Sequence, residues 1–494
     1  MQLTIPIINF SAFYSEIVIC AFALVILMAQ VLAKPSQNSL GYVAFIGVLI
    51  ALVINVYVPS AMGTQAVEST FSGLWVLDNY SRFFKLIFLV GTGLTILISI
   101  KYIKQEAMPP GEYYAMLLMA TLGMMIMASG ADLMPIFLGI ELMSISLYVL
   151  TGYARTRLIS NEAALKYFLL GSFATGFLLY GIALLYGATG TTRIQGIFAF
   201  ISQNTNNHHI ILIGMALLVI GFGFKLAAVP FHMWTPDVYE GAPAPITAFM
   251  SAGPKAAAFA AFLRVFLEAL PAMHDQWVMI LWWLAVLTMS VGNIIALVQD
   301  NIKRMLAYSS IAHAGYVLVG FVAGGQLGTP GILFYMLAYT LMNIGAFAII
   351  TYLGGTNEAR ITVKDYAGLG YQYPIAAVAL SLFLFSLAGI PPTAGFMGKF
   401  YLFSAAIDAG YLGLAIIGVL NSVVSVYFYL KVTVSLYMKS PEMQSTPGNV
   451  ASLPAVFAPM LMVAVLISAC GVLGLGILPE KYITLVQSSQ LMLP

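Results

Sequence analysis

The stretch GFGFKLAAVPFHMWTP (Gly221–Pro236) places a lysine and two prolines inside an apolar segment. An ionisable side chain at bilayer depth costs roughly 2.5–3.5 kcal/mol, so it usually lines a polar path or pairs with another charge. Proline removes a backbone donor and clashes with the preceding turn, which breaks a helix. A second stretch, SLAGIPPTAGFMGKF (Ser386–Phe400), has the same combination. These stretches predict two broken membrane helices, each beside a buried lysine.

The composition is that of a membrane protein. The chain has 494 residues, of which 61% are hydrophobic and 8% charged, and its mean hydropathy is +0.96. Soluble domains carry about 25% charged residues, so we expect an all-α polytopic membrane protein. The net charge of +2 and the lack of a basic run argue against nucleic-acid binding. Cys20 and Cys470 lie in apolar stretches, so we expect no disulfide framework, metal site or iron–sulfur cluster in this chain.

Apolar stretches long enough to cross the hydrocarbon core recur along the whole chain. About 20 residues suffice for one crossing. We predict fourteen spans and no soluble domain between them, since the longest connections, 189–208 and 438–454, are short and polar. The spans are expected at 12–33, 40–60, 78–100, 113–130, 132–153, 162–188, 209–230, 244–270, 276–298, 302–323, 329–353, 373–407, 411–437 and 455–477.

The positive charges in the connections orient these spans. With fourteen spans, ten basic residues fall in loops on one side and two on the other, and the positive-inside rule places the richer side in the cytoplasm. Both termini are then expected outside, in the periplasm. The outer residues are Arg193 and Lys481. The inner residues are Lys34, Lys101, Lys104, Arg155, Arg157, Lys303, Arg304, Arg360, Lys364 and Lys439.

Spans 4–8 and 9–13 form two groups of five. Because five is odd, the second group enters the membrane from the opposite side, which is the geometry of an inverted repeat. The fourth span of each group is the broken one, which predicts a hydrated cavity beside Lys225 and another beside Lys399. A packing kink is the alternative for either break. The expected units are an N-terminal three-span segment 1–112, half-channels 113–270 and 271–437, and a C-terminal span 438–494.

Glu141 and Lys225 are candidate partners in the first half. Glu141 lies about nine residues into span 5, near the midplane, and Lys225 precedes the break in span 7. Such a pair has two states, one paired and ionised, the other separated with Lys225 ready to release its proton. The alternative is a static ion pair that locks two helices together.

Two further lysines and two histidines extend this polar axis. Lys255 lies near the middle of span 8, directly after Pro254, and Lys399 follows the break in span 12 toward the outer face. Histidine titrates near neutral pH and can shuttle protons. His232 is a candidate point where protons enter, and His313 could link the two halves through water. A structural hydrogen-bonding role is the alternative for each histidine.

Lys166 and Lys303 lie nearer the inner ends of their spans. Glu162 and Lys166 have the i,i+4 spacing of an ordinary helical pair, so a local pair and a proton relay are both open. Lys303 marks the inner end of span 10, where it either fixes the topology or feeds a second inlet. Arg264 and Glu268 also have i,i+4 spacing, and we interpret them as an ordinary pair.

Five stretches resemble the antiporter-like membrane subunits of respiratory complex I, the NADH–quinone oxidoreductase, and the resemblance covers nearly the whole chain. Lysine in GKF is typical of one branch, whereas a sibling branch usually has glutamate there. The stretches are NEAALKYFLLGS (Asn161–Ser172), GFKLAAVPFHMWTPDVYEGAP (Gly223–Pro243), GPKAAAFAAFLR (Gly253–Arg264), NIKRMLAYSSIAHAGY (Asn301–Tyr316) and GIPPTAGFMGKF (Gly389–Phe400).

The resemblance implies a proton-translocating subunit of the bacterial inner membrane, driven by quinone reduction in neighbouring subunits. Flavin, iron–sulfur clusters and quinone would belong to partner subunits, with an antiporter-like sibling on one side and small membrane subunits on the other. A subunit of a multisubunit sodium/proton antiporter is the alternative, and a structural spacer is a third reading. The resemblance implies roles for Glu141, Lys225, Lys255, Lys399, Lys166, His232 and His313.

Overall fold

The computed structural model describes residues 9–33, 36–61, 68–204, 209–438, 458–489 and 491. Lys34, Lys439 and nearly all of the connection 438–454 lie outside these ranges. The membrane helices of the first part are α1 (Tyr14–Leu32), α2 (Gln37–Ala61), α3 (Asn79–Gln105), α4 (Pro110–Ser129), α5 (Leu133–Thr151), α6 (Leu158–Thr189), α8 (His209–Leu226) and α10 (Ala244–Arg264). Those of the second part are α11 (His274–Leu297), α12 (Ile302–Ala323), α13 (Gly325–Gly354), α17 (Leu412–Met438) and α18 (Pro459–Ile477).

These thirteen helices of the described ranges are long and apolar enough to cross a membrane, and each coincides with a predicted span. The chain is therefore an all-α polytopic membrane protein. The remaining predicted span, 373–407, contains two shorter helices. The shorter helices are α7 (Ile194–Gln203), α9 (Trp234–Gly241), α14 (Leu369–Gln372), α15 (Pro374–Ala388), α16 (Ala394–Asp408) and α19 (Pro479–Gln487), and the strands are β1 (Glu68–Thr70) and β2 (Trp75–Leu77), paired antiparallel.

The connection 189–208 differs from the prediction. It was expected to be only short and polar, but it contains α7, in which Ile194, Ile197 and Ile201 are buried. These residues recur at spacings of three and four, which is the pattern of an amphipathic helix that packs one face. The polar residues of the connection lie on either side of this helix. Because the helix is also too short to span a membrane, the search for apolar spans did not identify it.

The loops predicted on the inner side meet each other. Arg157, between α5 and α6, forms an ion pair with Glu106, between α3 and α4, and also lies 3.7 Å from Glu358 after α13. Asn301, before α12, forms an isolated β-bridge with Thr362 in that same connection. Four connections that the fourteen-span order assigns to one side are therefore linked directly or through their neighbours.

The loops predicted on the outer side form a second, separate set of contacts. Trp75 in β2 forms a bridge with Gly130, after α4, and Asp132 forms a bridge with Arg193, before α7. Asn79 Nδ2 at the start of α3 donates to the Ser488 carbonyl after α19, at 3.0 Å. These connections thus fall into two sets that agree with the predicted alternation, whereas the choice of inner face rests on the charge pattern alone.

Both breaks satisfy their freed backbone groups within the protein. At the first break, Ala227 adopts a φ of +59°, the Phe224 carbonyl accepts from Trp234 Nε1 at 3.0 Å, and the Val229 amide donates to Thr288 Oγ1 at 3.0 Å. At the second break, between α15 and α16, the Gly395 amide donates to Ser386 Oγ at 3.1 Å. Irregular backbone is tolerated at membrane depth where it is buried in protein, as these groups are, or lines a water-filled cavity.

Two glycines allow close backbone contacts between consecutive membrane helices. A Cβ on Gly123 of α4 would lie 2.6 Å from the Met143 backbone nitrogen of α5, and a Cβ on Gly315 of α12 would lie 2.7 Å from the Met289 nitrogen of α11. Any larger residue would force these backbones apart. The α4–α5 and α11–α12 pairs also occupy corresponding places in the two predicted groups of five.

Candidate functional site: a buried polar path

Lys255 is the central lysine of the predicted path. It lies in α10, in which every residue from Ala244 to Arg264 is buried, and 2% of Lys255 is exposed. Its Nζ donates to the Ser310 carbonyl at 2.8 Å and contacts Ser310 Oγ in a short hydrogen bond, and it lies 6.0 Å from the centre of the Tyr239 ring. None of the ion pairs of the described residues includes Lys255. Among the described residues, the groups that contact its ammonium are therefore a hydroxyl, a carbonyl and an aromatic ring.

His313 lies one turn further along α12, between two tyrosines. Its Nδ1 is 2.5 Å from Tyr335 Oη, and its Nε2 is 3.0 Å from Tyr429 Oη. Tyr429 also forms a short hydrogen bond with Ser309 Oγ. Because Ser309 and Ser310 are consecutive, the hydrogen-bonded group around His313 meets the group around Lys255 on α12. His313 and its two tyrosines belong to the second predicted half, and the first half is reached through Ser310, which binds Lys255.

Lys399 lies on α16, directly beyond the second break, and 4% of it is exposed. Its Nζ donates to the carbonyls of Leu387 and Ala388 at 3.0 and 2.9 Å, and to Ser422 Oγ at 2.8 Å. The carbonyls are the last of α15, where helical partners are lacking and the helix dipole favours a cation. Breaking the helix therefore creates the binding site for the lysine.

Lys225 and Glu141 are separated in this structure. Lys225 Nζ donates to Ser144 Oγ at 2.8 Å, one turn along α5 from Glu141. The ion pairs of the described residues, which extend to 4.0 Å, do not include Glu141 with Lys225. Glu141 itself is half-buried, and its Oε1 has no hydrogen-bond partner among the described residues. The arrangement corresponds to the separated state of the predicted pair.

Glu141 faces the exterior of this chain. Leu138 and Ile145, three positions before it and four after it on α5, are 59% and 57% exposed. Residues at these spacings share one face of a helix. A carboxylate on this face can respond to charges in whatever packs against α5.

His232 lies in the turn between α8 and α9. It is partly exposed, and its Nδ1 is buried without a hydrogen-bond partner among the described residues. Within the part of the chain that the structure describes, the His232 side chain forms no hydrogen bond with Lys225 or Lys255. The entry of protons beside His232 therefore stays a prediction, without support from a direct contact between the described residues.

Lys166 belongs to an ionic cluster at the inner end of α6. It forms the predicted local pair with Glu162, at 2.7 Å, and it also lies 2.8 Å from Asp237 of α9. Arg304 of α12 lies 2.8 Å from both Asp237 and Glu240. The five residues line a cavity of about 140 Å³. Alternating charges thus join α6, α9 and α12 around a polar opening.

Lys303 is held at the inner end of α12. Its Nζ donates to the Ala242 carbonyl at 2.6 Å and lies 3.0 Å from Glu358 Oε2. Glu358 Oε1 accepts from Tyr102 Oη at 2.6 Å and from the Ala244 amide at 2.8 Å. Lys303 is thus a paired lysine, unlike Lys255 and Lys399.

The charge state of Glu358 follows from these partners. Burial raises the pKa of its carboxyl, but Lys303, the hydrogen bonds from Tyr102 and the Ala244 amide, and Arg157 together lower that pKa below its ordinary value of 4.5. Glu358 is therefore ionised at neutral pH. No sequence signal indicated it, because its partners lie between 55 and 256 positions away.

A second buried pair was also missed by the sequence. Lys85 of α3 and Glu16 of α1 lie 2.6 Å apart and are 0% and 5% exposed. The outer pair of Arg264 and Glu268, which lies at 3.1 Å as predicted, likewise gains a partner from far along the chain, since Arg264 also binds Asp78 at 2.9 Å. A single sequence does not indicate which charged residues of distant spans form ion pairs.

Comparison with known proteins places these residues in a family. A model described as "NADH:quinone oxidoreductase/Mrp antiporter, TM" matches residues 130–425, which include all eight predicted path residues. The chain belongs to this family. It is 54% identical to NADH-quinone oxidoreductase subunit N of Trichlorobacter lovleyi, over 98% of this chain and 97% of that protein. Subunit N is the branch that the lysine of GKF indicated.

Solved structures of the family share the fold. A chain of respiratory complex I from Thermus thermophilus superposes with a TM-score of 0.79 at 32% identity, covering 96% of this chain and 99% of that one. A chain of the Mrp complex from Dietzia superposes with a TM-score of 0.84 at 21% identity, covering 97% of each. The second likeness shows the fold alone, because one fold hosts several functions.

Proposed function

We propose that this chain is a proton-translocating membrane subunit of a bacterial NADH–quinone oxidoreductase. One observation supports this most strongly: Lys255 is buried with hydroxyl and carbonyl partners, and no carboxylate of the described residues lies within ion-pair distance of it. An uncompensated ammonium at that depth is costly, so it is retained for a function that uses its proton. The identity to subunit N over nearly the whole chain supports the same assignment.

The proposed route follows the buried groups. Protons enter from the inner face near His232, load Lys255, pass His313 and reach Lys399, from which they leave outward. Lys166 lines the polar cavity at the inner end of α6, and Lys303 lies at the inner end of α12. Short segments of this route are hydrogen-bonded, as between Lys255 and Ser310, and water or side-chain motion would bridge the rest.

Glu141 and Lys225 form the proposed control of this route. With Lys225 bound to Ser144, its charge is uncompensated and repels a proton arriving at Lys255. When Glu141 approaches Lys225, that repulsion falls, because opposite charges in a medium of low dielectric interact strongly. The exposed face of α5 on which Glu141 lies lets an adjacent subunit drive the exchange.

The two-repeat organisation remains part of this proposal. The units are 1–112, 113–270, 271–437 and 438–494. The matching breaks support it, as do the two close glycine contacts at Gly123 and Gly315, which join corresponding helices. Each repeat would supply one half-channel.

The chain carries out its role within an assembly. The multi-pass fold places it in a membrane, and we assign it to the bacterial inner membrane with both termini outside. Its proposed partners are other membrane subunits of the oxidoreductase, with an antiporter-like sibling on one side and small subunits on the other. Flavin, iron–sulfur clusters and quinone would be held by partner subunits.

The sodium/proton antiporter alternative has weaker support. The likeness to the Mrp complex has 21% identity and bears on the fold alone. Sodium-dependent proton movement in vesicles without NADH would favour this alternative.

The experiment that tests the proposed function uses the purified oxidoreductase that contains this chain, reconstituted in proteoliposomes. Lys255→Ala and Lys399→Ala should leave electron transfer measurable while proton translocation per electron falls. Lys431→Ala is the control, because Lys431 is a partly exposed lysine paired with Asp300 at 3.0 Å. Normal proton translocation in Lys255→Ala would contradict the route.

A further inference from the structure

Glu358 joins the inner ends of two helices that belong to different halves of the chain. One of its carboxylate oxygens accepts from the first amide of α10, that of Ala244, and the other binds Lys303 in the first turn of α12. Lys303 in turn donates to the carbonyl of Ala242, just before α10. Three contacts therefore fix the start of α10 against the start of α12.

The same two helices meet again in the middle of the membrane, where Lys255 of α10 binds Ser310 of α12. Ala244 lies about 16 Å below Lys255 along α10, and Lys303 about 10 Å below Ser310 along α12, at roughly 1.5 Å per residue. Because helices are stiff over such lengths, the inner contacts set the position at which Lys255 meets Ser310.

The turn that presents Glu358 is held in an unusual conformation. Asn357 and Glu358 have φ values of +57° and +51°, a region that side-chain-bearing residues rarely adopt. Such residues persist where surrounding contacts over-determine them. The Asn357 amide donates to Glu106 at 2.8 Å, which ties the turn to the α3–α4 connection.

The charge of Glu358 suits this position. A carboxylate at the amino end of a helix is stabilised by the helix dipole and by the unpaired amides there. Glu358 occupies that position for α10, and it also balances Lys303, which is 4% exposed. A neutral side chain of the same shape would weaken both contacts.

We propose that Glu358 is a positioning residue that fixes α10 against α12 and so holds Lys255 on Ser310 for proton transfer. The inference rests on the proposed function, since it presumes that Lys255 carries protons. The competing reading is that Glu358 only neutralises Lys303 and stabilises the fold.

The test compares variants of the intact oxidoreductase in proteoliposomes, with NADH–quinone reductase activity and protons moved per electron as separate readouts. In Glu358→Gln we expect electron transfer to persist and protons per electron to fall to the level of Lys255→Ala, because a catalytic group misplaced by about 1 Å can lose about 100-fold in rate. Glu358→Asp keeps the charge, so it assembles, but it lacks one methylene and cannot span both contacts. Its proton yield should fall as well.

The double variant Lys303→Met/Glu358→Gln separates the two readings. It removes both charges and is compared with Lys303→Met alone, which measures what the loss of Lys303 costs by itself. A purely neutralising Glu358 predicts that the double variant assembles and yields protons at least as well as Lys303→Met. Positioning by Glu358 predicts that the double variant assembles but yields fewer protons than Lys303→Met. A normal yield in Glu358→Asp, together with a yield in the double variant no lower than in Lys303→Met, would overturn the inference.

Two controls keep this result distinct from the proposed function. Asp300→Asn removes a carboxylate of the same face that is 73% exposed and pairs with Lys431, and it should change neither readout. Lys255→Ala, measured in parallel, should lose proton yield whatever the role of Glu358. If Lys255→Ala loses proton yield while the Glu358 variants keep a normal yield, the positioning role alone is refuted. If Lys255→Ala keeps a normal proton yield, the proposed proton-translocating function is refuted.

Discussion

The pair of Lys85 and Glu16 should behave as a static buried ion pair. Their atoms Nζ and Oε1 lie 2.6 Å apart, and neither side chain is more than 5% exposed. Ser15 Oγ donates to the other Glu16 oxygen at 2.9 Å, and Lys85 lies 5.3 Å from the centre of the Trp75 ring. The pair joins α1 to α3, so its loss should loosen the N-terminal three-span segment.

The expected magnitudes follow from this burial. Removing one partner of a buried pair leaves an uncompensated charge and costs about 3–5 kcal/mol, whereas replacing both partners with apolar groups of similar volume is about neutral or stabilising. Lys85→Met alone and Glu16→Leu alone should each destabilise by about that amount. The double variant should lie close to the wild type, so the two changes should be strongly non-additive.

To measure the order of stability, the intact, purified oxidoreductase is heated and the loss of the assembled complex is followed on native gels. The wild type, the two single variants and the double variant are compared. The double variant should also pump protons normally, because the pair has no place in the proposed path. Additive destabilisation by the two single changes would refute the reasoning, as would loss of pumping in a double variant that assembles normally.

Three further outcomes are expected of the same complex. Asp78→Asn should destabilise the complex because it removes the charge that faces Arg264. Asp78→Ala should cost about 1 kcal/mol more, because the side-chain cap at the start of α3 is also lost. Equal melting temperatures for the two variants would contradict the capping role. The pKa of Glu358 is lowered, so its stabilising charge is present above pH 4.5 and is lost as the pH falls through its folded pKa. The stability difference between wild type and Glu358→Gln should thus be constant between about pH 6 and pH 8, and a difference that varies in that range would show that another group titrates. Ser422→Ala should lower the proton yield less than Lys399→Ala does, because two carbonyls still bind the Lys399 ammonium. An equal loss of proton yield in both variants would contradict this role of the carbonyls.

The fold could be predicted from local features of the sequence. Apolar length located the spans, and the prolines after Lys225 and before Lys399 located both breaks, because each feature acts on the helix that contains it. The connection 189–208 was the exception. Its helix α7 buries three isoleucines, but it is too short to resemble a span and is flanked by polar residues.

The partners of the buried charges could not be predicted in the same way. The sequence suggested Glu141 for Lys225, but the lysine binds Ser144 in this structure. It gave no indication of Glu358 or of the pair between Lys85 and Glu16. Each of these contacts joins separate spans, and a single sequence contains no record of which helices pack together.

The partners also divide the buried lysines into two kinds. Lys85 and Lys303 each lie within 3.0 Å of a carboxylate, so discharging either one would strand a negative charge in a buried site. Lys225, Lys255 and Lys399 are solvated by hydroxyl and carbonyl groups, which bind an ammonium and also accommodate a neutral amine. Loss of a proton therefore costs less at these three lysines. The proton path is expected to run through them, with the paired lysines holding the helices in place around it.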